Sequence, residues 1–191
     1  DYARQYQQLL MAARTRAAGT GAAHLALLGP GAGAKGQIRV WAAMDGEPKA
    51  PLNLVGPNPV SSCKQADQWN DTVAAAVNTT STTARFIEGV DLSGGGVNSD
   101  MGLRADLIGN GLNMSGALPA DGIIAVCVTP SGVTYVGGGA DAATAIANMR
   151  TATPFTGTAE VNVQRHKGAT PIGLKRRVII TGGGPPRLRS D

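Results

Sequence analysis

An α+β fold is what this sequence predicts, an N-terminal amphipathic helix packed on antiparallel β-sheet, and three observations lead there. Residues 1–18, DYARQYQQLLMAARTRAA, place Tyr2, Tyr6, Leu9, Leu10, Ala13 and Ala17 at helical spacing. The rest of the chain alternates short β-branched runs with Gly-, Pro- and Asn-rich breaks, the pattern of hairpins. Finally, 27 Gly and 11 Pro among 191 residues, with only 4% aromatic residues, call for much loop and modest packing, while a 42% hydrophobic content argues against disorder. A chain of this length buries a core without help from a metal. It reads as a single domain over 1–191, with 1–18 as the end of an N-terminal helix and 22–191 as a β-rich head.

Taken in order, the elements justify themselves locally. Asp1 can cap the opening helix and Gly19 with Gly21 can end it. HLALL (24–28) and QIRVWAAM (37–44) read as two strands joined by a glycine-rich loop, with a turn at MDGEPKAP and an irregular stretch carrying Cys63 after it. KQADQWNDTVAAAV (64–77) has plentiful Ala but a poor apolar period, so a short helix and irregular chain both fit. TARFIEGVDL reads as a strand; 94–116 reads as glycine-broken loop with one strand near Leu103–Ile108. GIIAVCVTPSGVTYVGGG is the clearest hairpin, turning at Pro-Ser-Gly. DAATAIANMR reads as a short capped helix, and GTAEVNVQR with KRRVIIT closes the chain as paired strands.

Enzyme chemistry finds little purchase. GAGAKG at 31–36 spells a dinucleotide-binding fingerprint, but a strand follows it where a helix is required, and Lys35 is followed by Gly36 where a phosphate loop needs Ser or Thr. His24 sits in a strand as a structural histidine would, and His166 sits in a basic run. With Asp45, Asp100, Asp106 and Asp121 isolated from one another, neither a catalytic constellation nor a metal site is expected. No cofactor is expected either. Cys63 and Cys127, 64 positions apart without a CxxC pattern, read as one disulfide in an exported protein; two separate buried thiols are the alternative. A small secreted hydrolase would need a free thiol paired with either histidine.

Charge is the stronger signal. The chain carries a net +4, yet from Arg165 onward seven basic residues face the lone acid Asp191, so the remainder is slightly acidic. Such one-sided charge suits a polyanion, an anionic membrane surface or an acidic protein neighbour. In an extended Arg187-Leu188-Arg189, both guanidinium groups point to one side about 7 Å apart, close to the spacing of successive phosphates along a nucleic-acid strand. A solvated tail is the plain alternative.

The order of these features resembles a known family, the pilin-like proteins of the GspH/FimT type, which are minor pilins of type IV pili and minor pseudopilins of type II secretion. LLMAARTRAAGTGAAHLALL is similar to the family's helix-to-first-strand passage, QIRVWAAMDGEP to its next strand and turn, VCVTPSGVTYV to its strand–turn–strand, and KRRVIITGGGPPRLR to its closing strand and Gly-Arg-x-Arg tail. The resemblance implies a pilin-like fold and a non-enzymatic subunit that assembles with other pilins or pseudopilins. It also implies a hydrophobic, methylated N-terminal half-helix, not within this sequence, that anchors the subunit in the inner membrane. The place expected is the inner membrane and periplasm, then an extracellular filament, of a bacterium. Tyr2, Tyr6, Leu9 and Leu10 would pack the helix on the sheet, its upper part toward neighbouring subunits. Some transformation-associated members bind DNA through the tail; those positions fall here on Arg187 and Arg189, with Lys175, Arg176 and Arg177 in support.

Overall fold

The computed structural model describes residues 2–29, 37–45, 58–65, 68–69, 83–91, 101–110, 122–167 and 170–190; for Tyr2, Asp91, 101–110 and 165–167 only the backbone is considered. The 31–36 loop, most of 64–77 and most of the glycine-rich middle lie outside these residues.

Helix α1 (Tyr2–Thr20) forms where the apolar period predicts it and buries Tyr6, Leu9, Leu10, Ala13 and Ala17. It stops at Gly21, whose φ of 71° is easy only for glycine and lets its N–H reach the Ala17 carbonyl at 3.2 Å. Strand β1 (His24–Gly29) then pairs antiparallel with β2 (Gln37–Asp45), Ala26 facing Val40. Short β3 (Asn58–Pro59) joins the last two residues of β2, and β4 (Ala84–Asp91) runs along the rest of it. The β2/β4 register shifts at Val40/Trp41, where Val40 pairs with Glu88 but Trp41 with Phe86, leaving Ile87 as the extra residue of a bulge. On the other side of β1 lies β6 (Ile123–Val128), hairpinned to β7 (Thr134–Gly139). Together these make a six-stranded sheet.

Helix α2 (Ala142–Thr151) follows, with Asp141 as its cap: the Thr144 N–H donates to the Asp141 carboxylate at 2.7 Å. The glycines before it are required by packing. A Cβ on Gly137 would come 2.2 Å from the Met149 nitrogen, and one on Gly139 would come 2.6 Å from the Ala145 nitrogen, so the helix backbone rests directly on β7. Asn148 fastens it with a 2.8 Å bond to the Gly138 carbonyl.

The second sheet has four strands in the order β10-β9-β8-β5: β5 (Met101–Asn110), β8 (Thr158–Lys167), β9 (Thr170–Thr181) and β10 (Arg187–Ser190). All of its pairings are antiparallel.

Two cores divide the apolar residues. The first gathers the buried face of α1, Ala26, Val40 and Ile124 from one face of the first sheet, and Val161 and Val178 from the second. The second core lies on the opposite face of the first sheet, where Leu25, Trp41 and Cys127 meet Ile146 and Met149 of α2 and the Cys63–Trp69 segment. The disulfide between Cys63 and Cys127 ties that segment down, and the Trp69 indole N–H donates to the Cys63 carbonyl at 3.1 Å.

This architecture corrects the predicted fold class. The protein is mostly antiparallel β, two sheets with two helices among the described residues, and not an α+β pilin with a long N-terminal helix laid on a sheet. The difference arises at β5 and β10. The glycine-broken 101–110 forms a ten-residue strand on β8, and the presumed tail folds back as a strand on β9. With those two added, a second sheet closes over the helix, and α1 becomes one contributor to a core that two sheets share. Among the described residues no helix is long and apolar enough to cross a membrane.

Candidate functional site

The basic C-terminus becomes an ordered sheet edge through the residues between its arginines. Pro185 and Pro186 hold the chain extended. Pro186 is buried, and its carbonyl accepts a 3.0 Å bond from the Gln7 side chain of α1. Leu188 packs against the first core. Strand alternation therefore sends Pro186 and Leu188 inward and leaves Arg187 and Arg189 exposed on the outer face. The inward residues set the register: Arg187 lies opposite Ile179 and Arg189 opposite Arg177.

The five basic positions divide between faces. Arg187, Arg189 and Arg177 share the outer face by register. Arg177 is half-buried there, and its guanidinium stands 3.7 Å from the Glu160 carboxylate, which offsets the like charge of Arg189 directly across the ladder. Neither Arg187 nor Arg189 meets a carboxylate among the described residues. Arg176 alternates to the opposite face, opposite Val163, and donates to the Ser190 hydroxyl at 3.2 Å. Lys175 lies where the β8/β9 pairing is irregular, between the Arg165/Ile172 and Val163/Arg176 pairs. The arrangement is thus two outward guanidinium groups on the last strand of the sheet among the described residues, a third beside them, and two basic residues set apart.

The other predicted positions resolve differently. Tyr6, Leu9 and Leu10 are buried at 1%, 5% and 6% exposure inside this chain's own core, which takes up the face assigned to packing; the side chain of Tyr2 lies outside the described set. Cys63 and Cys127 are disulfide-bonded to each other, so neither supplies the free thiol that a thiol hydrolase needs. Among the described residues no three His, Cys, Asp or Glu side chains gather as a metal site.

His24, a structural histidine by its place in a strand, is buried at 1% exposure with Nδ1 donating to the Ala22 carbonyl at 3.0 Å. Burial pushes its pKa below 6.5; the bond to Ala22 opposes that shift, and the positive charges of Arg16 and Arg85 add to it. Sequence reasoning passed over Arg16 and Arg85, because only the pairing of β4 with β2 and the packing of α1 bring them to the same place as His24. No known protein family, no curated protein and no solved structure matches this chain.

Proposed function

We propose that this protein is a non-catalytic binding and assembly subunit, the role implied by its sequence's resemblance to minor pilins and pseudopilins although its two-sheet fold is not theirs, and that it meets a polyanion through the β10 edge. The observation that carries the binding part is the exposed Arg187/Arg189 pair, held on one face by the inward Pro186 and Leu188. A guanidinium in a fixed fork binds phosphate oxygens bidentately, and a preset spacing lowers the ordering cost that a mobile tail would incur. DNA is the first ligand to test, in the setting of a filament that handles it. An acidic surface of a neighbouring filament subunit is the second reading, favoured by the same edge having no strand on its far side among the described residues.

The test is binding of a duplex and of a single-stranded oligonucleotide across a salt series. The parent protein is expected to bind both without sequence preference, log affinity falling linearly with log salt. Replacing Arg187 and Arg189 together with Gln lowers the slope by about one for each arginine. A parent that fails to bind at physiological salt, or a double variant that binds as well as the parent, removes the DNA reading.

A further inference from the structure

A second site lies away from the basic edge, where the C-terminal end of α1 meets the first sheet. A half-open cavity of about 570 Å³ is lined by Arg16 and Thr20 of α1, His24 of β1, Ala42 to Met44 of β2, Pro59 of β3, and Arg85 to Ile87 of β4. That volume falls within the roughly 300–1,000 Å³ typical of small-molecule pockets. Its wall is apolar through Ala42, Met44, Pro59 and Ile87 and polar in nearly equal measure through Arg16, Thr20, His24 and Arg85, two of them guanidinium groups. Apolar surface beside convergent polar groups is the general make-up of a site for an amphipathic ligand.

The charges are unevenly committed. Arg16 forms a 3.2 Å pair with Glu88, both side chains nearly half exposed, a contact worth little in water. Arg85 is exposed and meets no carboxylate among the described residues. His24 shows the cavity's polar wall: its Nδ1 is used by Ala22, and in the neutral ring Nε2 is left as an acceptor. The bulge at Ile87 makes the arrangement possible. By inserting one residue into β4, it lets Glu88 sit opposite Val40 on the α1 side, within reach of Arg16, while Arg85 stays opposite Ala42 at the cavity.

We infer that this cavity binds a small organic anion with an apolar body, its carboxylate, sulfonate or phosphate group held by Arg85 with Arg16 beside it, its body against Met44, Pro59 and Ile87. Arg85 is given the main grip because Glu88 competes with the ligand for Arg16. A bare inorganic ion would leave the apolar wall unused. A neutral apolar ligand would leave Arg85 unused.

The probe is 8-anilinonaphthalene-1-sulfonate, an anion with an apolar body, alongside its uncharged congener N-phenyl-1-naphthylamine. The sulfonate is expected to bind the folded protein at one saturable site, and Arg85→Gln to weaken it roughly tenfold or more, the scale of one lost charge-assisted hydrogen bond. Arg85→Gln should leave the uncharged congener unaffected, and Arg189→Gln should leave both ligands unaffected. In the parent protein, the sulfonate should also shift the NMR signals of the His24 ring, a readout that needs no variant. Equal affinity of the Arg85→Gln variant and the parent for the sulfonate overturns the proposal, as does an equal loss for both ligands, or saturable binding that leaves the His24 signals in place.

Discussion

His24 shows how much one buried residue decides. A proton on its ring would be a charge inside the fold, next to Arg16 and Arg85, and burial is the largest reason that its pKa lies below 6.5. The unfolded chain therefore binds the proton more readily than the folded one between the folded pKa and 6.5. Stability from this residue is complete above that window and is lost as the pH falls through it. Urea midpoints measured from about pH 7.5 down to about pH 5 should fall more steeply for the parent than for His24→Gln; superimposable profiles would show that the imidazole contributes nothing. Asp141 carries the same sign for a different reason, since here it is the charged form that the fold favours. Its pKa is lowered mainly by the Thr144 backbone N–H, so its capping stability is present at neutral pH and fades as acid protonates the carboxylate. Both residues were legible beforehand, one as a strand histidine and one as a helix cap, because each rests on a bond within three positions of itself. Arg85 was not, since its meaning depends on neighbours from other strands and from α1.

Among elements, α2 and β10 make the instructive pair. Residues 142–151 have a capping Asp and good helix formers, so the helix could be read directly. Why three glycines precede it could not be read, until the helix was seen to lie on β7 with no room for a Cβ at Gly137. Gly137→Ala should cost about 1–3 kcal/mol, because the atoms in the way belong to the backbone of Met149 and Ala145 and the whole helix must shift. Gly183→Ala, with nothing within 4 Å of the added carbon, should stay within about 0.5 kcal/mol of the parent. Chemical denaturation compares the two, and equal effects would show that α2 does not rest on β7 as described. β10 shows the reverse limitation. Four residues between a Gly/Pro break and the end of the chain look like a tail, and only pairing with β9 and burial of Pro186 and Leu188 make them a strand. The same pairing separates Arg176 from Arg177, which sequence proximity had put into one group.

At the scale of the whole molecule, the first sheet is buried on both faces, and the Cys63–Cys127 bond holds part of the cover on its second face. Closing a loop with a sequence separation of 64 stabilises the fold by about 4 kcal/mol on the chain-entropy account. Reduction should lower the unfolding free energy by roughly 2–4 kcal/mol and shift the emission of Trp69 to longer wavelength as its cover loosens. An unchanged urea midpoint after complete reduction, verified by mass, would count against the bond as a structural clasp.

Much was already decided by the sequence alone: the opening helix, the β1/β2 and β6/β7 hairpins, α2 with its cap, the β8/β9 pair and the joining of the two cysteines. Each of these rests on periodicity, turn chemistry or residue type over a short span, or on the pairing of two unique groups. The tertiary structure alone decided that a second sheet exists and shares the helix's core, and that Arg187 and Arg189 stand on an edge apart from Arg176. It also decided that Arg16, His24 and Arg85 surround one cavity. Those outcomes depend on which strands pair and which faces bury one another, and long-range packing of that kind leaves no local period in the chain for a reader to find.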